Sequence, residues 1–213
     1  MLKALTLTTP AGIAVWPHLN KPDTKFNPDG DYRTGLRLTA EDAAPVLAKI
    51  QAIMDEGYAT ACKEKKNPKL KKADLPIKEE MDDDGNPTGN VVLNFKLKSK
   101  IKAKDGTIIE KKPGIFDAKG KVIAIDKTPI WGGSRIKVAF EAFAFYVPAL
   151  GAGVSLRLKG VQVLELVSGG QTAEAMGFGK EDGYEAQAEE TPPAAPKADE
   201  TEEDGSPNVA ARF

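Results

Sequence analysis

From Phe95 to Lys104 the chain alternates without exception. Phe95, Leu97, Ser99, Ile101 and Ala103 hold one parity, and Lys96, Lys98, Lys100, Lys102 and Lys104 hold the other. A β-strand sends successive side chains to opposite faces, so it separates the two sets. A helix, at 3.6 residues per turn, would scatter the lysines around its whole circumference. The segment therefore commits the chain to a sheet with one apolar and one cationic face. A solvent-facing strand must carry something polar, and hydration alone explains part of that choice. Adjacent like charges nevertheless destabilise a sheet, and ordinary surfaces interleave the two signs. Five lysines with no acid among them favour a track for a polyanion.

The same bias extends to residue 167. Residues 1–167 hold 27 Lys+Arg and 20 Asp+Glu, whereas residues 168–213 hold 3 and 11, so the formal charge of −1 conceals +7 and −8. A basic body attracts a polyanion, because neutralising phosphates releases condensed counterions. An acidic arm can compete for that surface or offer a handle to a partner protein. Beyond Leu166 come Gly169-Gly170, Pro192-Pro193, Pro196 and the run Asp199, Glu200, Glu202, Glu203, Asp204, before the chain ends on Phe213. So few large apolar groups cannot offset the entropy of ordering the segment. The expectation is a folded domain over 1–167 and a disordered acidic tail over 168–213.

Within the folded part, Leu2 to Thr8 and Gly12 to Trp16 read as one strand broken at Pro10, and Asn20–Asp23 and Asn27–Gly30 as turns. Tyr32, Leu36 and Leu38 alternate with Arg33, Arg37 and Thr39, a half-buried strand with a basic outer face. Thr39 and Asp42 offer capping chemistry, and Pro45 belongs in a first turn. Val46, Leu47, Ile50, Ile53, Met54, Tyr58 and Ala61 predict one amphipathic helix ending near Lys65. Seven lysines between Lys63 and Lys78 read as a solvated loop. Thr107–Glu110 and Val122–Asp126 read as short strands around a turn at Pro113-Gly114. Ser134–Val147 is a long strand with Ile136, Val138, Phe140, Ala142, Ala144 and Tyr146 on its core face. Its other face mixes Arg135, Lys137 and Glu141 with Phe143 and Phe145, which either stack bases in a cationic groove or pack beneath a loop. The final strand slips phase at Gly160, as a bulge or barrel corner would. Five or six strands and one helix predict a small barrel.

Several function classes are excluded on residue supply. Cys62 and His18 are the only cysteine and histidine, too few for a disulfide framework, a zinc site or most His-dependent mechanisms. They read as a reduced thiol and a loop imidazole. No phosphate-binding loop, nucleotide fingerprint or nucleophile elbow occurs. Asp82-Asp83-Asp84-Gly85-Asn86-Pro87 lacks the later ligands of a calcium loop and reads as a hairpin turn. Gly132-Gly133-Ser134 reads as a tight turn before it reads as a phosphate cradle. No segment is long and apolar enough to span a bilayer. The expectation is a cytosolic, non-enzymatic protein with no cofactor or metal.

The order of these pieces resembles the single-stranded DNA-binding protein of short-tailed bacteriophages. The resemblance rests on Lys21-Pro22-Asp23, the Tyr32 strand and the helix through Tyr58-Ala59. It continues in Ile130-Trp131-Gly132-Gly133-Ser134-Arg135-Ile136-Lys137-Val138 and in Gly151-Ala152-Gly153-Val154-Ser155-Leu156-Arg157-Leu158 to Leu164-Glu165-Leu166. It implies a mainly β protein with an OB-fold, a five- to six-stranded antiparallel barrel capped by one α-helix. It also implies sequence-independent binding and protection of single strands in phage replication, recombination and repair, and promotion of annealing. The acids Asp199, Glu200, Glu202, Glu203 and Asp204 with Phe213 match a tail that contacts the phage DNA polymerase and the helicase–primase. That tail occupies the DNA groove when DNA is absent and contributes to a homodimer, all within the cytoplasm of the infected host. This chain departs from the family in placing Val209-Ala210-Ala211-Arg212 before Phe213. Lys3 matches a basic position near the family's N-terminus.

The candidate DNA contacts are therefore Lys3, Arg33, Arg37, Lys96, Lys98, Lys100, Lys102, Lys104, Arg135, Lys137 and Arg157 for phosphates. Phe143 or Phe145 would stack bases, with Trp16 and Trp131 as further aromatic candidates. An interaction barrel whose lysines only solubilise it, as in an assembly or virion factor, is the alternative from another class. A metal-dependent nuclease is a third.

Overall fold

Ten strands and one helix make up the computed structural model of this protein, which describes residues 4–103, 105–124 and 129–167. Lys3, Lys104 and the whole tail expected over 168–213 lie outside the described residues. Strands β1 (Leu5–Thr8) and β2 (Gly12–Asp23) are the two halves of the broken N-terminal strand. Both run antiparallel along β9 (Arg135–Val147), with Thr8 facing Ala139 before the break and Gly12 facing Ile136 after it. Buried Thr9 bridges the gap: its N–H donates to Val138 O and its Oγ1 accepts from Val138 N, both at 3.0 Å. Pro10 thus falls where no ladder donor is required.

β2 continues to Asp23, where a turn over Asn20–Asp23 was expected. Pro17 and Pro22 interrupt its ladder without ending it. Pairing with β3 (Asp31–Thr39) passes from Val15–Gly35 to His18–Arg33 and then Asp23–Asp31. His18, expected in a loop, therefore sits on a strand. The turn at Asn27–Gly30 forms as expected, closed by Gly30 N to Asn27 O at 2.8 Å.

Helix α1 (Ala40–Glu64) begins on its predicted cap. Thr39 Oγ1 accepts from Asp42 N at 3.1 Å and donates to the Asp42 carboxylate at 2.9 Å. Ala43, Val46, Ile50, Met54, Gly57 and Ala61 are buried at spacings of three and four, which is one stripe of the helix. Pro45 is the sixth helical residue, in the second turn rather than the expected first, because the helix begins immediately after Thr39.

β5 (Pro87–Lys98) and β6 (Lys100–Lys102) divide the lysine stripe at Ser99. Ser99 is buried, with its hydroxyl bonded to the Asp29 carbonyl oxygen and its N–H to Gly30 O. Past it, β6 leaves the main sheet and pairs with β7 (Ile108–Glu110). The alternation survives the division, since Lys96, Lys98, Lys100 and Lys102 all remain exposed. β4 (Ile77–Met81), unforeseen in the lysine-rich stretch, pairs with β5 across the Asp82–Asn86 hairpin turn. β8 (Gly114–Phe116) occupies the expected Pro113-Gly114 turn, and Val122 makes only an isolated bridge to Phe116.

With β10 (Gly151–Glu165), the pairings close a ring in the order β2–β3–β5–β10–β9 and back to β2. Only β5 and β10 are parallel within it. That strand order is the order of an OB-fold, here with the helix between the second and third ring strands, and β1, β4, β6, β7 and β8 flank it. The ring is unevenly zipped. β9 and β10 pair along their length, whereas β5 and β10 meet in the single register pair Lys96–Arg157. The register shift between Leu158 and Gly160 is the predicted phase slip. A Cβ on Gly160 would come 2.9 Å from Gly114 O on β8, so the close approach requires glycine.

Inside the ring, Leu36, Leu93, Phe95, Ile136, Val138, Phe140, Ala142 and Leu158 are fully enclosed. The Phe95 and Phe140 rings pack tilted, with centroids 4.9 Å apart. Each large apolar side chain buried there contributes roughly 1.5–3 kcal/mol. No helix among the described residues is long and apolar enough to cross a membrane.

Candidate nucleic-acid interface

The thin β5–β10 seam leaves the outer face of the barrel open along its length. Register aligns His18, Arg33, Lys96, Arg157 and Glu141 in one row across five strands. Their parity is opposite to that of the core residues, so the row faces outward. A cleft lies on either side of it. One, of roughly 510 Å³, is lined by Val15, Trp16, Gly35, Asn94 and Phe145 together with Arg33, Lys96 and Ser155. The other, of roughly 600 Å³, is lined by Lys98, Lys100, Lys102, Phe143 and Arg157, again with Lys96 and Ser155. Lys96 and Ser155 are common to both, so the two clefts share a wall on the seam.

Each cation in the row has a carboxylate partner. Arg33 pairs with Asp23 at 2.5 Å, Lys96 with Asp31 at 2.7 Å and Arg157 with Glu141 at 3.2 Å. The acids lie deeper than the cations: the Lys96 side chain is 60% exposed over an Asp31 side chain that is 7% exposed. The carboxylates thus hold the cationic heads from the buried side, while the side chains that carry them stay partly open to solvent. Glu141 also accepts from Lys159 at 2.9 Å. That hydrogen bond first, and then the charges of Lys159 and Arg157, outweigh desolvation and hold its carboxyl below the ordinary glutamate value. Asp23 is lowered chiefly by the hydrogen bond from Lys25 N–H, with the Arg33 charge assisting. Lys98, Lys100 and Lys102 have no ion pair among the described residues, so they carry the uncompensated charge of the groove.

The two phenyl rings are half-buried, and each has one face occupied. The Arg157 guanidinium carbon lies over Phe143, 4.5 Å from the ring centroid. Phe145 covers Gly153, where an added Cβ would fall 2.7 Å from the ring and 2.9 Å from Ala73 Cβ. The stretch expected as a solvated lysine loop supplies that contact. Ala73 N donates to Ala152 O and Ala152 N to Lys71 O, each at 2.8 Å, and Tyr58 Oη donates to Leu70 O at 3.1 Å. Asp74 and Pro76 then wall the first cleft. The loop is thus a strap pinned along the start of β10.

The structure draws Arg33, Lys96, Lys98, Lys100, Lys102, Phe143, Phe145 and Arg157 to this seam. Three predicted cations stand elsewhere. Arg37 pairs with Glu80 at 2.7 Å and lines neither cleft. Glu80 is held below its ordinary value first by the Asn90 amide, then by Thr88 and Arg37, against desolvation. Arg135 pairs with Glu165 at 2.8 Å, and eight residues of strand rise put it about 26 Å from Phe143. Lys137 shares that end of β9. Lys3, Lys104, Asp199, Glu200, Glu202, Glu203, Asp204 and Phe213 lie outside the described residues. Sequence reasoning missed Asp23 and Asp31 as counterions, and Asn94 and Ser155 as cleft walls; nothing local to those residues signals a partner on another strand. Among the described residues no group of three or more His, Cys, Asp or Glu side chains could hold a metal ion.

Residues 12–166 match a protein-family model described as single-stranded DNA-binding protein, bacteriophage T7. Among solved structures, the chain is similar to gp2.5, a single-stranded DNA binding protein encoded by bacteriophage T7. That similarity has a TM-score of 0.67 and 26% identity over 87% of this chain and 100% of that one. It is similar in fold to the single-stranded DNA-binding protein of bacteriophage Enc34 in complex with ssDNA, with a TM-score of 0.54 and 15% identity over 76% of this chain and 88% of that one. The C-terminally truncated Enc34 protein gives a TM-score of 0.52 and 15% identity over 76% and 87% of the two chains. No curated protein matches the chain.

Proposed function

This chain belongs to the single-stranded DNA-binding protein family of bacteriophage T7, and on that premise we propose that it binds single-stranded DNA without sequence preference along the β5–β10 seam. One observation carries the reading: six cations, Arg33, Lys96, Lys98, Lys100, Lys102 and Arg157, share two adjoining clefts with two phenyl rings. Cations tracking a backbone beside aromatic platforms are the combination that holds single strands of any sequence. The protein does no covalent chemistry in this reading. It coats and protects single-stranded intermediates in phage replication, recombination and repair, promotes their annealing, and acts in the cytoplasm of the infected host.

The acidic tail, with Asp199 to Asp204 and terminal Phe213, recruits the phage DNA polymerase and the helicase–primase and contributes to a homodimer. Its charge of opposite sign to the body supports a competitive role at the same groove. The test is fluorescence anisotropy with a labelled oligo-dT and with a duplex of equal length. The reading expects strong preference for the single strand at low salt. Equal affinity for the two would overturn the single-strand reading, and no binding at all would leave the interaction-barrel alternative in its place.

A further inference from the structure

We infer that Trp16 is a base-stacking residue of this groove, turned out of the core by a bulge in β2 and held there for an unstacked nucleobase. The inference rests on the single-strand reading above. Its first support is register. Val15 pairs with Gly35 and His18 with Arg33, so β2 advances three residues where β3 advances two. Ala14, two residues before Trp16, is buried, and strict alternation would place residue 16 on that same inward parity, opposite buried Thr34. The extra residue breaks the alternation and everts the indole.

The second support is the backbone. Trp16 has a φ of 46°, the left-handed region that bulky L-residues avoid. Such strain persists only where the surroundings impose it, and it concentrates at ligand sites. Here the surroundings are visible: Pro17 fixes the next φ, and the turn before β9 clamps Ala14, two residues upstream, through Gly133 N to Ala14 O at 2.9 Å and Ala14 N to Ser134 O at 2.8 Å.

The third support is exposure combined with position. Trp16 is 83% exposed, the most exposed large apolar side chain among the described residues, so folding gains little from it. It nevertheless lines the cleft that holds Arg33, Lys96, Phe145 and Ser155. Trp131 is 51% exposed and lines neither cleft. Phe143 and Phe145 each have a face already covered. Trp16 therefore offers the broadest uncovered ring beside cations that can take the flanking phosphates. A duplex base has both faces stacked and cannot use it, whereas a single-stranded base can.

The chain has two tryptophans, so Trp131→Phe in the full-length protein leaves Trp16 as the sole indole emitter. Titrating that variant with oligo-dT should quench its emission in step with binding measured by anisotropy. Trp16→Ala should weaken oligo-dT binding roughly 5- to 150-fold, the equivalent of about 1–3 kcal/mol per stacked base, with the salt slope unchanged because no charge is lost. Trp16→Phe should retain most of the affinity. Trp16→Gly, which suits the left-handed backbone, should melt at or above the wild-type temperature yet bind as weakly as Trp16→Ala; a merely structural tryptophan would show the opposite. If the wild-type protein binds oligo-dT while Trp16→Ala binds within twofold and no quenching accompanies binding, the assignment fails and the single-strand reading stands. If the wild type itself does not bind, both fall.

Discussion

The three lysines without carboxylate partners should set the salt dependence of DNA binding. Lys98, Lys100 and Lys102 line one cleft, are exposed, and have no ion pair among the described residues. Arg33, Lys96 and Arg157 each share their charge with an acid. Each phosphate neutralised on a single strand adds about −0.7 to the slope of log K against log salt. If only the free lysines displace counterions, the slope is about −2.1; if all six cations contribute fully, it is about −4.2. Between about 50 and 200 mM salt those limits correspond to roughly 20-fold and 300-fold losses of affinity. Replacing Lys98, Lys100 and Lys102 together by alanine should reduce the slope by about 2, leaving only the shielded cations. Being exposed, the three positions should tolerate the change without unfolding. Arg135→Ala, at the far end of β9, should leave the slope as it was. The assay is oligo-dT anisotropy repeated across salt concentrations. A triple variant that keeps the wild-type slope would show that the phosphates do not follow this cleft, whatever the affinity.

Thr39→Ala removes the cap of α1 and should cost about 1 kcal/mol, lowering Tm by about 2–4 °C in a domain of this size, as read by a thermal melt. Glu141→Gln removes the acid that shields Arg157 and Lys159, so it should tighten oligo-dT binding and steepen the salt slope by up to about 0.7; weaker binding would mean that Glu141 serves mainly to aim Arg157. Asp23, Glu80 and Glu141 are all lowered in the folded state, so their stabilisation is complete above the ordinary carboxylate range, about pH 4, and is lost as pH falls through their lower folded values. Urea melts at descending pH should show that loss, and Glu141→Gln should make it shallower. Deleting residues 190–213 removes a competing polyanion and should tighten oligo-dT binding while weakening capture of the phage polymerase; equal affinity of full-length and truncated protein would refute the competition.

The elements that the sequence reveals are those whose pattern is local. Period two predicts the strands through Tyr32–Leu38, Phe95–Lys98 and Ile136–Ala142, and their inward-facing apolar residues form the core. Thr39 and Asp42 announce the helix start, and Gly160 announces the bulge. What escapes is what depends on another strand. β2 runs on past Pro17 and Pro22 because its ladder with β3 is skipped at those places, which the β2 residues do not reveal. β4 forms in a charged stretch because it adds to the outside of β5 and sets only Ile77 against the core. In the candidate site, the lysine alternation survives in the fold as one wall of a cleft, lined by Lys96, Lys98, Lys100 and Lys102. The ion pairs of Arg37 with Glu80 and of Arg135 with Glu165, away from both clefts, join residues distant in sequence and exist only in the fold. The strap over 70–76 looks like loop in sequence because its bonds run to Ala152, Asn94 and Tyr58.

The seam itself joins stability to function. A barrel ordinarily closes its edges, and an unpaired edge invites pairing with another chain. Here β5 and β10 touch in one register pair, Lys96–Arg157, and the rest of the gap is left to side chains. Lysines along an edge are a common defence against such pairing, because two cationic edges repel. The same repulsion makes the gap a place where a polyanion is favoured and a second copy of the edge is not. The carboxylates set the balance: Asp31 and Glu141 neutralise the one pair that closes the ring, so closure does not fight itself. Lys98, Lys100 and Lys102, beyond the closure, stay unneutralised. On the proposed single-strand reading, the charge that would strain a fully zipped barrel is thereby moved to the place where phosphates would relieve it.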